Sequence, residues 1–285
     1  PLAIGFTVNV VNVIGNYVLI FGKFGFPALG VVGSATATTI AFTTGALLGL
    51  GLLASKGVIM RLHSGHILPR PETIRRILAI GYPAALEQLF MQFGFFLYYR
   101  FAARYGTSAV AAYFIGVRIL AMSFLPGFGF AAAAGTLVGQ NLGARRPELA
   151  ERSGWDATRL SIYLMSALGL VIVVLARPIA ALFIDDPEVI ADAVMFIQVL
   201  GAAQPLMAVD FTLGGALRGA GDTRFPLIVV LLGFYVCRLG FAWYATHVGE
   251  LGLFWLWFAL VPDYIARVIL KVGRFRSGRW QAIRV

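Results

Sequence analysis

Charge is what this 285-residue sequence has least of: Asp, Glu, Lys and Arg make up 13%, against about 25% in ordinary soluble domains. A soluble fold of this size lacks the polar surface to cover itself on that allowance. Cysteine is nearly absent. Cys237 stands alone inside an apolar run, which excludes a disulfide framework, a zinc site or an iron–sulfur cluster built on thiolates. Histidine is scarce too, and His63, His66 and His247 all fall between apolar runs, where they read as solvated surface. There is no His-Glu-x-x-His pair and no glycine-rich phosphate loop following a strand, so the chain is not expected to be an enzyme or to carry a cofactor or metal. The net charge of +10 does not indicate nucleic acid, because the basic residues lie between long apolar segments and not along one solvated face.

Apolar residues are abundant instead, at 59% against about 45–50%, with a mean hydropathy of +0.84. That predicts an all-α polytopic membrane bundle. A bilayer core about 30 Å thick takes about 20 apolar residues per helix, and eight such spans can be placed: A over 2–21, B 31–54, C 77–99, D 109–136, E 157–176, F 193–215, G 226–246 and H 251–270. Short turns make A–B, C–D and G–H antiparallel hairpins. The 33 glycines suit close packing of membrane helices.

Orientation follows from Lys and Arg near the span ends. Sixteen of 23 fall in the B–C, D–E and F–G connections and from Arg267 at the end of span H onward, and four on the opposite side. The richer side is cytoplasmic, so both ends face inward in a multi-pass plasma membrane protein of the bacterial inner-membrane kind. The stretch 271–285, with Lys271, Phe275 and Trp280, reads as a basic tail that is solvated or lies on the anionic leaflet. The chain begins at Pro1 with no charged region ahead of its first apolar run, and no signal peptide is visible; it is expected to be a portion of a longer protein.

Similar strings open distant spans. Pro1-Leu2-Ala3-Ile4 and Pro226-Leu227-Ile228-Val229 begin A and G, while Leu29-Gly30-Val31 and Leu251-Gly252-Leu253 lead into B and H. A–B thus repeats as G–H six spans later, and an even offset preserves orientation. A six-plus-six transporter fits. Residues 1–54 would be the last two spans of a first lobe, 55–76 a cytoplasmic linker and 77–270 a complete six-span second lobe, with about four spans preceding.

Three loops carry recognisable strings: Leu125-Pro126-Gly127-Phe128-Gly129 with Thr136-Leu137-Val138-Gly139-Gln140-Asn141-Leu142-Gly143-Ala144, Leu182-Phe183-Ile184-Asp185-Asp186-Pro187-Glu188, and Ala216-Leu217-Arg218-Gly219-Ala220-Gly221-Asp222-Thr223-Arg224. In this order, between spans, they resemble the multidrug and toxic compound extrusion (MATE) transporters over the whole length. Each also has a local physical reading. The glycines of the first let the chain turn where helix ends approach. Asp186 before Pro187 reads as an N-cap with proline in the first turn. Asp222 and Arg218 read as gating or structural groups at the turn before span G.

Ionisable residues within spans are functional candidates, because burying them is costly. They are Glu87, Arg118, Asp210, Arg238 and Asp263. Glu87 lies about 15 Å from the inner end of span C, and Arg118 about 14 Å from the outer end of span D, so the two are expected to pair near the midplane. Arg238 and Asp263 are similarly related across the G–H hairpin, as a structural or gating pair. Asp210 has no basic neighbour at its depth other than Arg218, and an unpaired buried carboxylate tends to hold a proton. Gln88, Gln92 and Arg118, together with Asn12 and Asn16 of span A, are candidates to line the substrate path; Asn9, Asn12 and Asn16 share a helix face and would otherwise bond between helices. The MATE resemblance implies coupling to Na+ or H+ through acids on spans C and F. Those positions align with Met91 and Met207, so Glu87 and Asp210 stand about one turn closer to the cytoplasm, still able to face each other.

The expected function is export of organic cations or drugs in exchange for H+ or Na+ by alternating access, by a protein monomeric at full length whose partners are the bilayer and an amphipathic cargo. A flippase for a lipid-linked precursor is the nearest alternative, favoured by a basic cavity; a non-transporting scaffold would need no midplane acids. The topology is testable. In a Cys237→Ser background, cysteines at Ser64 and Ser277 should react with an impermeant maleimide only from the cytoplasm and one at Thr107 only from outside; reaction of Ser64 and Thr107 from the same side rules out eight spans.

Overall fold

The computed structural model describes residues 2–55 and 71–283, with every side chain there except those of Arg76 and Ile80. The linker positions Lys56, Arg61, Arg70, His63, His66 and Ser64 lie outside the described residues. Among the described residues there is no strand. Each expected span is a helix: α1 (Leu2–Phe21), α2 (Gly30–Ala54), α3 (Pro71–Ala102), α4 (Thr107–Gly143), α5 (Pro147–Val174), the short α6 (Ala176–Ala181), α7 (Pro187–Gly219), α8 (Arg224–His247) and α9 (Leu253–Arg276). Seven are long and apolar enough to cross a membrane. The eighth long helix, α3, has 32 residues and carries Glu87, Gln88 and Gln92 in its middle.

Several helices overrun their apolar stretch. At 1.5 Å per residue the 37 residues of α4 extend about 55 Å, so the glycine-rich string expected as a turn is helical through Gly143. The chain instead reverses at Ala144–Arg146, with Arg145 in the left-handed region (φ 57°). Asp186 caps α7 as expected, its Oδ1 accepting from the backbone N–H of Glu188 (2.9 Å) and Val189 (3.5 Å). Prolines occupy the first turns of α5 and α7, where their missing N–H costs nothing.

The chain forms two compact units, Pro1–Pro71 and Glu72–Val285. In the first, α1 and α2 make a tight hairpin in which a Cβ at Gly33 would overlap the Leu19 carbonyl. Asn16 donates to Asn12 Oδ1 (2.9 Å) and Asn12 to Thr38 Oγ1 (3.3 Å), so these amides link helices. In the second unit α7 is central, packed by α4, α5 and α9. Trp257 stacks on Phe196 with centroids 4.6 Å apart, and the Tyr98 hydroxyl donates to the Leu256 carbonyl.

The α4–α7 contact is a backbone seam. Cβ atoms at Gly135 and Gly139 would stand 2.8 and 2.9 Å from the carbonyl oxygens of Gly215 and Gly219; at Gly215 and Gly219 they would overlap the backbone of Ala131 and Gly135. Gly135-x3-Gly139 and Gly215-x3-Gly219 are thus two interlocked small-residue motifs, the spacing that lets membrane helices touch.

The expected basic tail is corrected. α9 runs on to Arg276, Lys271 is 2% exposed, and Phe275 and Trp280 are buried, stacked at 4.6 Å with the Trp280 indole N–H donating to the Phe275 carbonyl (2.7 Å). Lys271 is drawn inward by a carboxylate, and the two aromatics pack against Ala134, Val138, Ala150 and Leu217. The seam yields a prediction. Gly215→Val should abolish a monodisperse gel-filtration peak, because the clash is with rigid backbone and overpacking costs about 1–3 kcal/mol or more. Gly129→Ala, with open space around it, should elute like the parent.

Candidate functional site

The second unit encloses a cavity of about 530 Å³ lined by residues of α3, α4, α7, α8 and α9. Its polar side comes from Glu87, Gln88 and Gln92 of α3, Asp210 and Arg218 of α7, and Arg267 and Lys271 of α9. Its apolar side includes Phe124, Phe128 and Phe211, with ring centroids of Phe124 and Phe211 4.9 Å apart and those of Phe128 and Phe211 5.4 Å.

Every carboxylate here is held by a cation. Glu87 accepts from Arg218 Nη1 at 3.1 and 3.3 Å. Lys271 Nζ stands 2.6 Å from Asp210 Oδ1 and donates to the Asp210 backbone carbonyl at 3.0 Å. Arg267 lies 3.9 Å from Asp210 Oδ2 and donates to Asp263 from Nε (2.5 Å) and Nη2 (3.2 Å). Behind the cavity wall Arg238 Nη2 completes the chain at 2.7 Å from Asp263 Oδ2. Gly233 makes room: a Cβ there would stand 2.5 Å from Asp263 Oδ1 and 2.7 Å from Arg267 Cγ. Arg238 also lies over the Phe234 ring at 4.5 Å and Arg267 over Tyr264 at 5.3 Å, where ring quadrupoles favour a desolvated cation. Arg238 sits in a stretch of α8, Leu231–Leu239, whose turns widen to the i→i+5 pattern, a device frequent at functional sites.

Two expected arrangements are overturned. Glu87 pairs with Arg218, not Arg118; Arg118 is exposed on α4 and forms no ion pair among the described residues. Glu87 lines the cavity, whereas Arg118 is not among its lining residues. Asp210 is not unpaired, since Lys271 and Arg267 both reach it. The Arg238–Asp263 contact is present as expected across the hairpin. Asp222 pairs with Arg274 at 2.8 Å, tying the turn before α8 to α9. Gln88 and Gln92 line the cavity, whereas Asn12 and Asn16 belong to the first unit.

Arg267 and Lys271 are the site residues that sequence reasoning missed. Their signal was the spacing: Asp263, Arg267 and Lys271 recur every fourth residue and so share one face of α9.

A family model described as MatE matches residues 83–244, more than half of the chain, and its matched stretch includes Glu87, Asp210 and Arg218. This chain belongs to the MATE family of transporters. A Thermotoga maritima protein named as a probable multidrug resistance protein NorM is 32% identical over 284 residues, covering 99% of this chain and 60% of that one. This MATE chain therefore spans about 60% of the length of such relatives. Two solved structures share its fold. A multidrug resistance MATE transporter of the MOP superfamily in an outward-facing conformation superimposes with a TM-score of 0.86 at 22% identity, covering 96% of this chain and 61% of that one. A MOP superfamily transporter from Pyrococcus furiosus, described for a reversed polarity of its binding pocket and the different function this suggests, gives 0.85 at 23%, covering 96% and 60%. As a MATE protein with seven apolar membrane-length helices, it is a multi-pass membrane protein. Of the two positions where the family resemblance implies an acid, Met91 lines the cavity beside Arg267 (Sδ at 3.7 Å) and Met207 is buried.

Leaving one charge of a buried pair without its partner costs about 3–5 kcal/mol. Asp210→Asn should therefore lower the thermal midpoint followed by tryptophan fluorescence. Asp210→Asn combined with Lys271→Met should recover most of the loss, while Arg267 keeps Asp263. An Asp210→Asn variant as stable as the parent would show that the Lys271 pair contributes nothing.

Proposed function

We propose that this chain supplies eight spans of an efflux transporter, both ends cytoplasmic, that exports drugs or organic cations by alternating access in exchange for H+ or Na+. The observation that carries this reading is the position of Glu87 and Asp210 on one cavity walled by aromatic rings, each held by a displaceable cation. A proton and a cationic cargo group compete for Glu87, each displacing Arg218 from it, so ion and cargo exclude one another. H+ suits Asp210 better than Na+, because a hard metal ion asks for oxygen ligands and an ammonium stands 2.6 Å from the carboxylate. Movement of a lipid-linked precursor is the second reading, favoured by the three cations that line the cavity against two carboxylates.

The test is drug efflux from cells against imposed pH and Na+ gradients, at matched membrane abundance. Glu87→Gln should lose gradient-driven efflux at least tenfold with near-normal expression, since Arg218 retains 32% side-chain exposure and can turn to water. Asp210→Asn with Lys271→Met should lose it alike. Unchanged efflux in both removes these carboxylates from the mechanism.

A further inference from the structure

Two of the cavity's cations converge. A Cβ built on Gly214 would stand 2.9 Å from Lys271 Nζ and 3.4 Å from Arg218 Nη2, so an ammonium and a guanidinium from different helices meet over one bare glycine. Like charges brought together in apolar surroundings repel strongly. Each has a carboxylate to one side, Asp210 for Lys271 and Glu87 for Arg218, but the network as a whole is short of anions. Glu87, Asp210 and Asp263 face Arg218, Lys271, Arg267 and Arg238, leaving one cation in excess.

We propose that the place where Lys271 and Arg218 meet over Gly214 binds the anionic group, a carboxylate, sulfonate or phosphate, of an amphipathic cargo. The proposal rests on the reading that this cavity holds cargo, and it makes the cargo's polar end anionic where that reading left organic cations open. An arriving anion supplies the missing charge in a desolvated site, where an uncompensated cation is costly. Arg218 presents a planar fork suited to two oxygens, and Lys271 adds a point charge from the side. Arg218 is also the accessible member, at 32% side-chain exposure against 3% for Lys271 and Arg267, so a cargo entering the cavity reaches it first. The rings of Phe124, Phe128 and Phe211 on the apolar side receive the cargo's body. Glycine at 214 makes room for the end of Lys271, which a methyl group there would push aside.

Fluorescence polarisation on the full chain in detergent tests this, with fluorescein as an aromatic anion, rhodamine 6G as a cation on the same ring system, and dioctanoyl phosphatidic acid as a competing lipid phosphate. Fluorescein should bind in preference to rhodamine 6G. Its affinity should fall about tenfold in Arg218→Gln and several-fold in Gly214→Ala, and rise several-fold in Glu87→Gln, which frees Arg218; that opposed response also separates a binding effect from a folding one. Displacement by phosphatidic acid supports a lipid head as the anion's source, and resistance to it a free organic anion. Preferential rhodamine binding that Glu87→Gln weakens overturns the proposal and leaves the efflux reading standing. Fluorescein binding unaltered in Arg218→Gln and Gly214→Ala overturns it as well. Failure of both dyes to bind overturns it together with the assignment of cargo to this cavity.

Discussion

Seven charged side chains share the apolar interior of the second unit, and each is tolerable there only because an opposite charge lies within reach. The spine of this set is the ladder of three charges spaced four residues apart on α9, Asp263–Arg267–Lys271, which fixes the rotation of that helix about its own axis. Rotating α9 by a quarter turn would withdraw Lys271 and Arg267 from Asp210, and Asp263 from Arg238, at once. Other features follow from accommodating the ladder. Gly233 is bare where Asp263 and Arg267 press on α8, and Gly214 is bare beneath Lys271. Arg238 completes the coordination of Asp263 from the other helix of the hairpin. Arg274 extends the same face of α9 to Asp222, and so fastens the turn between α7 and α8.

The spans were legible because twenty-residue apolar runs have few other uses, and the Asp186–Pro187 cap because its chemistry is local. What resisted reading was direction around a helix. Rise per residue places Glu87 and Arg118 at similar heights, yet it is Arg218 whose side chain reaches Glu87. The glycine string before Asp222 does turn, at Gly221 (φ 86°), whereas the one before Ala144 reads as a turn and is helical, since glycine serves both turns and close packing. The spacing of four between Gly135 and Gly139, and between Gly215 and Gly219, was the cue that distinguished them. Lys271 misled for a different reason. Beyond the last apolar run a lysine is ordinarily solvated, and only its register with Asp263 and Arg267 marked it as an inward-facing group.

Membership of the MATE family gives the frame, and the charges give this chain its character within it. Glu87 and Asp210 stand on α3 and α7, and each is already occupied by a basic side chain of the protein itself. Carboxylates so occupied act as members of exchangeable pairs: neutralising or displacing one partner changes what the other can hold. On the proposed reading, that is how proton binding and cargo binding are joined through Arg218 and Lys271 without the two touching.

The seam between α4 and α7 has a mechanical consequence. Helices separated by side chains can slide or roll as rotamers adjust, but where glycine backbones meet there is nothing soft between them. α4 and α7 therefore behave as one stiff double rod through the middle of the second unit, and Arg218, one residue from the seam's Gly219, is carried on it without play. Compliance has to reside elsewhere. The widened turns of α8 around Arg238 and the break of α9 at Ala259 interrupt the regular helical ladder outside the seam, so the hairpin that carries Arg238 and Asp263 is built less stiffly than the double rod it packs against.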